Sequence, residues 1–418
     1  MLHSSYLHYA QLAAALFVVA MLAVLLTAYI LAIIWARVYF YRRVNFSPDM
    51  LEAGLPGVSI IKPLVGIDRN VYANLETFFT LQYPKYELLF CLESDSDSAR
   101  MVIETLMEKY PAVEARLLCS PILCGVNPKI NNMMQGYQTA KHQLVLISDS
   151  GVKMRPEALA DMVWCINQKD VGLVHQMPFV DQRPGFRSLV HSAYFGCSHA
   201  KSYISANCLG ITCCTGMSCL FRRQVVDELP SGLAYFGRYL AEDFFLAQHI
   251  QSRGYRVSVS HYPALQDGTG EVRFLQRRLI RWAQLRTAMV PHIILLELIA
   301  ECLAAGLLGA WALPFLFPSL NPCACFLIHC LTWLLADYAM LRSCMDTAGV
   351  DEKPQFGRVE FVCAWLLCVG MTPLNLLVSL SRSEIVWRNR RFRLSWGGAT
   401  HEVSSQQKLT NASSKPTL

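Results

Sequence analysis

The stretch from Leu12 to Ala36 contains no charged side chain, and it is longer than the roughly twenty apolar residues that cross a bilayer as a helix. Residues 11–36 are therefore expected to form a transmembrane anchor. Arg37, Arg42 and Arg43 follow this run, whereas no lysine or arginine precedes it. The positive-inside rule then puts residues 1–10 in the lumen and the following domain in the cytosol. No small-residue cleavage site accompanies the run, which argues against a removed signal peptide. Composition agrees with a membrane protein: 53% of residues are hydrophobic and 16% charged, with a mean hydropathy of +0.30, too apolar for an ordinary soluble enzyme.

Three more apolar segments lie toward the C-terminus, within residues 291–382. They are Ile293 to Phe317, interrupted by Glu297, Glu301 and Pro314; Cys323 to Leu341, with Asp337; and Phe361 to Leu380, with Pro373. Arg388, Arg390, Arg391 and Arg393 come next and predict a basic cytosolic tail over 383–418, polar and disordered from His401 onward. One anchor plus three full spans would leave that tail on the wrong side. One segment is thus expected to lie in the interface or fold back, and Ile293 to Phe317 is the most interrupted. Asn411-Ala412-Ser413 has the glycosylation pattern, but a cytosolic tail would leave it unmodified.

Between these membrane regions, residues 50–270 alternate strand and helix signals after a short linker at Ser47-Pro48. Val58 to Leu64 (VSIIKPL), Glu87 to Leu92 (ELLFCL), Val113 to Leu118 and Leu144 to Ile147 (LVLI) read as short buried strands. Asn70 to Gln82, Met101 to Lys109 and Lys129 to Lys141 read as helices. Such alternation implies an α/β domain with a mainly parallel sheet, whose ligands bind beyond the carboxyl ends of the strands. Two acidic loops fall there, Glu93-Ser94-Asp95-Ser96-Asp97 and Ser148-Asp149-Ser150-Gly151. Val171 to Arg223 reads as short strands mixed with loops. The 16 cysteines form no CxxC framework and no zinc-ligating spacing, so reduced thiols are expected. The net charge of +6 sits beside apolar segments. That placement suits anionic lipid or a phosphorylated substrate, and no nucleic-acid motif is visible.

From Leu240 to Trp282 an acidic pair, Glu242-Asp243, precedes a basic cluster, Arg277-Arg278-Leu279-Ile280-Arg281-Trp282. Transfer of an activated sugar needs a carboxylate to accept a hydroxyl proton, and cations or a metal for a diphosphate leaving group. The same residues also suit an acidic helix start, over Ala241 to Gln251, followed by an amphipathic interfacial helix over 271–290. Both readings stand on this stretch alone. His175, His191 and His199 fit no ligand spacing and read as core or acceptor-side histidines.

The Asp-bearing strand ends, Ala241-Glu242-Asp243 and RLIRW (Arg278 to Trp282) together resemble the membrane-bound inverting nucleotide-sugar transferases of the GT-A fold. The nearer resemblance is to the ceramide glucosyltransferase family, from the anchor to about Gly398. It rests on PKYELLFC (Pro84 to Cys91), NPKINNMM (Asn127 to Met134), SDSG (Ser148 to Gly151), VGLVH (Val171 to His175), YISAN (Tyr203 to Asn207), TGMSCL (Thr215 to Leu220) and LIRW, in that order. The resemblance implies transfer of glucose from UDP-glucose to the primary hydroxyl of ceramide with inversion. It also implies a multi-pass Golgi membrane protein with its catalytic domain on the cytosolic face, and a homo-oligomer is allowed. A polysaccharide synthase of the same fold and a non-catalytic membrane scaffold are the rivals. The few C-terminal spans disfavour the first; the acidic strand ends and RLIRW disfavour the second.

Residue by residue, Asp149 matches the aspartate that contacts a divalent ion, Mg²⁺ or Mn²⁺, and the sugar diphosphate. Asp243 matches the general base, with Glu242 tuning the site. Arg278, Arg281 and Trp282 match the (Q/R)xxRW signature. The arginines share a helix face toward the diphosphate, and the tryptophan suits the acceptor channel or the interface. Lys129 and Asn132 resemble nucleotide-side residues, Gly216 the small residue that admits the sugar, and His199 an acceptor or nucleotide contact. The family's first aspartate is replaced by Ser94, so one of its acidic neighbours, Glu93 or Asp95, is expected to take over its contact to the uridine, Asp95 being the better match by side-chain length.

Overall fold

The structure is a computed structural model that describes residues 2–40, 55–181, 183–211, 213–347, 356–387 and 390–403. Arg42, Arg43, the Ser47-Pro48 linker, Arg388 and the chain beyond residue 403 lie outside the described residues. The expected anchor is one long helix, α1 (Leu2–Phe40), whose apolar span runs from Tyr6 to Tyr39.

The domain that follows carries β1 (Val58–Leu64), α2 (Val71–Phe79), β2 (Tyr86–Leu92), α3 (Ala99–Lys109), β3 (Ala115–Leu118), α4 (Pro128–Thr139), β4 (Leu144–Ser148), β5 (Val152–Lys153) and α5 (Ala158–Ile166). The expected strands and helices of this half are thus present, with ends shifted by a few residues. β1 and β4 are buried along their whole length, as continuous apolar runs in a parallel sheet should be. α4 starts where Asn127 accepts hydrogen bonds from the Lys129 and Ile130 backbone N–H groups at 2.8 and 3.3 Å. Pro128 then occupies its first turn, a strong helix-start combination.

The second half has β6 (Val171–His175), β7 (Pro178–Asp181), α6 (Phe186–Ala193), a π-helical turn (Tyr194–His199), α7 (Ala200–Cys208), β8 (Ser218–Arg222), α8 (Glu242–Ser252), β9 (Arg256–Val259) and β10 (Ala264–Asp267). Here one expectation is corrected: residues 186–208 are continuous helix, not loop with short strands. Past its first two turns the segment buries most of its circumference against other helices, so only Phe186–Ala193 carries an amphipathic period. Gly196 permits this packing, because a Cβ there would lie 2.4 Å from the Leu341 side chain.

The main sheet has the order β3-β2-β1-β4-β8-β6-β9. Only β8 is antiparallel to its neighbours, β4 and β6; the remaining pairings are parallel. This bears out the mainly parallel α/β fold. α2, α3 and α5 pack on one face, α4 and α8 on the other. The chain leaves β1 toward β2 on one side while β4 lies on the other, so a crevice opens at their carboxyl ends, where such sheets bind ligands.

The C-terminal region forms α9 (Val272–Met289), α10 (Pro291–Ala300), α11 (Cys302–Leu316), α12 (Pro322–Thr347) and α13 (Arg358–Ser381). α10 and α11 meet at a 65° bend, so the most interrupted apolar segment is a broken helix. α1, α12 and α13 are each long and apolar enough to span a bilayer. Leu275 and Leu279 of α9 are buried in the same cluster as residues of α12 and α13, whereas Arg273, Phe274 and Arg277 are exposed. The expected tail is corrected as well. Its first part folds as β11 (Glu384–Trp387), β12 (Arg390–Leu394) and β13 (Thr400–Glu402), an antiparallel sheet. Ile385 and Phe392 bury themselves against Leu240, and Tyr239 pairs with Ala399.

Three buried hydrogen bonds tie the membrane helices to this body. Asp337 of α12 accepts from the Tyr29 hydroxyl of α1 and, at 2.6 Å, from Trp365 Nε1 of α13. Its carbonyl accepts from the Cys197 thiol of the π-helical turn at 3.4 Å.

Candidate active site

At the crevice the sequence turns polar exactly where strands end, and Lys129 is the hub. Its Nζ lies 2.8 Å from Asp149 Oδ1 after β4 and 2.9 Å from Glu242 Oε1 at the start of α8. It also donates to the Gly216 carbonyl at 3.0 Å. Burial by itself would lower the Lys129 pKa, but the Asp149 and Glu242 carboxylates outweigh it and hold the ammonium charged. The other Glu242 oxygen accepts from Asn127 Nδ2 at 2.9 Å. Glu242 is thereby consumed by protein contacts and is a poor proton acceptor.

Asp243 is different. Desolvation and, secondly, the adjacent Glu242 raise its pKa to about 6, against the pull of Lys129 and of the Phe244 and Gly216 backbone N–H groups. This is a carboxylate poised near neutrality, as general-base work requires. Gly216 has no room for a side chain: a Cβ would fall 2.9 Å from Asp243 Cβ and 3.0 Å from Oδ2.

Arg278 and Arg281 project from α9 on the opposite wall. Arg278 donates to Gln266 Oε1 at 2.7 Å, and its guanidinium stacks 4.5 Å from the Trp282 ring and 5.7 Å from Phe195. Burial lowers its pKa to about 10 although Asp149 opposes the shift; the same balance lowers Arg281. Both stay cationic at working pH. His199 ends the π-helical turn with its ring 6.0 Å from Trp282. Burial first, then Arg286 and Arg278, push its pKa down to about 3, so it is a neutral imidazole whose buried Nε2 has no partner among the described residues. Helical irregularities of this kind recur at functional sites.

Lys129, Asp149, His199, Gly216, Glu242, Asp243, Gln266, Arg278, Arg281 and Trp282 line one cavity of about 1180 Å³. One end is charged, with Lys129, Asp149, Glu242, Asp243, Arg278 and Arg281. The other is apolar and reaches α1, α7 and α10 through Leu25, Ala28, Leu209, Ile293 and Leu296. Lys201 also faces it, with its ammonium 5.0 Å from the Trp333 ring and 5.7 Å from Tyr29.

Two expected site residues are placed elsewhere. Asn132 is fully buried and donates to the Leu64 and Cys91 carbonyls at 3.1 and 2.9 Å, clamping the ends of β1 and β2 beneath the site. Asp95 points to solvent and pairs with Arg100 at 2.7 Å. Asp97 fastens that loop by accepting from the Gly66 and Ala99 N–H groups. Sequence reasoning missed Lys62, which is fully buried and donates to the Asp149 carbonyl at 2.7 Å. A lysine inside the apolar run VSIIKPL was the available signal. Asn127 and Gln266 were missed too, being uncharged.

The donor set can be tested against a divalent ion. Among the described residues one cluster of three ligand types converges, Asp161, Cys165 and His261. There Asp161 already accepts from Ser260 Oγ, His261 N–H and His261 Nδ1 at 2.6, 2.9 and 2.7 Å, a closed structural network away from the cavity. In the cavity Asp149 is a carboxylate with open access, its side chain 38% exposed, and Asp68 and Asp267 line the same cavity. One carboxylate suits Mg²⁺ or Mn²⁺, which keep waters and bridge to phosphate oxygens.

A model described as Glycosyl transferase family 21 matches residues 15–400. Ceramide glucosyltransferase 3 of Caenorhabditis elegans is 41% identical over 349 residues, 83% of this chain and 74% of that protein. Ceramide glucosyltransferase 1 of the same organism is 37% identical over 392 residues, 93% of this chain and 82% of that protein. Among solved structures, a mannosyltransferase from Pyrobaculum calidifontis in complex with GDP-Man and Mn²⁺ aligns with a TM-score of 0.46 at 18% identity, covering 88% of this chain and 99% of its own.

Proposed function

The chain belongs to glycosyl transferase family 21, and from that premise we propose that it is a ceramide glucosyltransferase that moves glucose from UDP-glucose to the primary hydroxyl of ceramide with inversion. The observation that carries this reading is the two-ended cavity: a charged crevice with a carboxylate tuned to about 6 continues into an apolar arm beside the membrane helices. A nucleotide sugar matches the first end and a long-chain lipid the second.

In this reading Arg278 and Arg281 hold the diphosphate by charge-assisted hydrogen bonds, and Lys129 keeps Asp149 and Glu242 in place. A divalent ion on Asp149 supplies further charge neutralisation to the leaving diphosphate when bound. Asp243 accepts the proton of the lipid hydroxyl as that oxygen forms its bond to the sugar anomeric carbon and the bond to the diphosphate oxygen breaks. A single displacement inverts the centre and needs no second carboxylate. Gly216 lets the sugar approach Asp243, and neutral His199 with Trp282 flanks the lipid head.

The reading extends to topology. The C-terminal sheet touches the catalytic domain, so an even number of crossings separates them. α12 and α13 supply two, and the bent α10–α11 pair returns to the side it left. With Arg37 at the lower end of α1, that shared side is the cytosol, and the compartment is the Golgi. Membranes supplied with radiolabelled UDP-glucose and ceramide test the proposal. A labelled glucosylceramide is expected; a labelled polymer, or no product, would overturn it.

A further inference from the structure

We propose that Gln266 is a donor-binding residue with two jobs: its amide oxygen sets Arg278, and its amide N–H groups donate to the sugar diphosphate. This rests on the reading of the charged end as a nucleotide-sugar site. Gln266 is held rigidly on β10, where it pairs with Val152 of β5 on one side and Val180 of β7 on the other. Its side chain is 6% exposed and lines the cavity together with its neighbours Asp267 and Gly270.

The orientation of the amide follows from its partner. A guanidinium only donates, so the oxygen must face Arg278 Nη1, at 2.7 Å, and the NH₂ group must face away. Nε2 then has no acceptor among the described residues although it is buried. Unpaired donors in such a place call for a ligand rich in acceptors. What faces it fits: Arg278 and Arg281 line the same cavity as Gln266, so an anion held there is flanked by cations and amide N–H groups. A diphosphate provides such oxygens.

The rival is that Gln266 only positions Arg278. Gln266→Glu separates the two, because it is isosteric and grips Arg278 at least as firmly, yet it replaces two donors with an anionic oxygen aimed at the ligand. Gln266→Leu removes both jobs. The full-length enzyme in detergent micelles with Mn²⁺ is titrated with UDP, and KM values for UDP-glucose and ceramide are measured alongside thermal unfolding. A ligand-contacting Gln266 predicts that Gln266→Leu weakens UDP binding about tenfold, that Gln266→Glu weakens it more, and that ceramide KM stays within about twofold. If Gln266→Glu binds UDP as tightly as wild type, or more tightly than Gln266→Leu, the residue only positions Arg278 and the proposal falls. Should Gln266→Leu not fold, the comparison of Gln266→Glu with wild type still decides. A wild-type enzyme that binds no UDP would sink the donor reading itself, and this inference with it.

Discussion

The two ends of the cavity are built on opposite principles. At the donor end one lysine is shared by two carboxylates at 2.8 and 2.9 Å, while Arg278 and Arg281 line the cavity beside it. Toward the acceptor end the Arg286–Glu297 pair and Lys201 also line the cavity, but His199 stands among rings, its Nε2 buried without a partner among the described residues beside Trp282 and Phe195. The donor end is therefore part of the scaffold, since deleting one member strands a charge in a poorly solvated place. The acceptor end is a shaped space whose polar atoms await a ligand. Breaking the Lys129 ion pairs at the first should cost folding and binding together; changes at the second should be felt mainly by substrate.

The largest effect is expected from Lys129→Met, which leaves Asp149 and Glu242 unpaired. Breaking a buried ion pair costs about 3–5 kcal/mol, so both activity and the denaturation midpoint should fall. A variant with wild-type stability would show that the donor-end lattice is not structural. Next comes Asp243→Asn, which keeps the shape but removes the base. Turnover should drop by about 10²–10⁴ while UDP binding stays within about tenfold. The wild-type profile should carry the same signature: with a folded pKa raised to about 6, the base is active above that pH and is lost as pH falls through it. Near wild-type turnover in Asp243→Asn would remove Asp243 from this role.

His199→Phe probes the other end. The imidazole is already neutral, its pKa pushed down to about 3, so the change deletes a hydrogen-bonding atom without deleting a charge. Ceramide KM should rise several-fold, about the worth of one neutral hydrogen bond, with UDP-glucose KM and thermal stability unchanged. A matching rise in UDP-glucose KM would erase the division between the two ends. Smallest of all is Asp95→Ala. The side chain is 76% exposed and engages Arg100, so UDP-glucose KM should move by less than about twofold. A tenfold rise would restore Asp95 as the replacement for an aspartate at Ser94.

What the sequence showed clearly was backbone and charge. Val58 to Leu64 was legible as a strand to the residue, and Asp149 and Asp243 stood at strand and helix ends where chemistry collects. Roles set by distant packing were not legible. Lys62 was one residue of an apolar strand with no role attached, yet the fold buries it under the Asp149 loop and 3.7 Å from the Phe78 ring. The helix over 186–208 is packed by α13, α12 and α1 in turn, which past Ala193 weakens the 3.6-residue period that a half-exposed helix displays. Arg390 to Leu394 carried the alternation of a strand, with Phe392 buried between exposed arginines, but its charge read as a tail.

Asp337 makes the first membrane helix more than a leash. It accepts from Tyr29, which lies 308 positions earlier in the chain, and from Trp365, while its own carbonyl meets the Cys197 thiol of the catalytic body. An enzyme assembled this way is not modular. Cutting away the first forty residues would not release a water-soluble transferase; it would open a carboxylate to hydrocarbon and unroof the apolar arm lined by Leu25 and Ala28. Nor would a generic hydrophobic helix be an adequate graft, because the replacement would have to bring its own hydroxyl to the same depth.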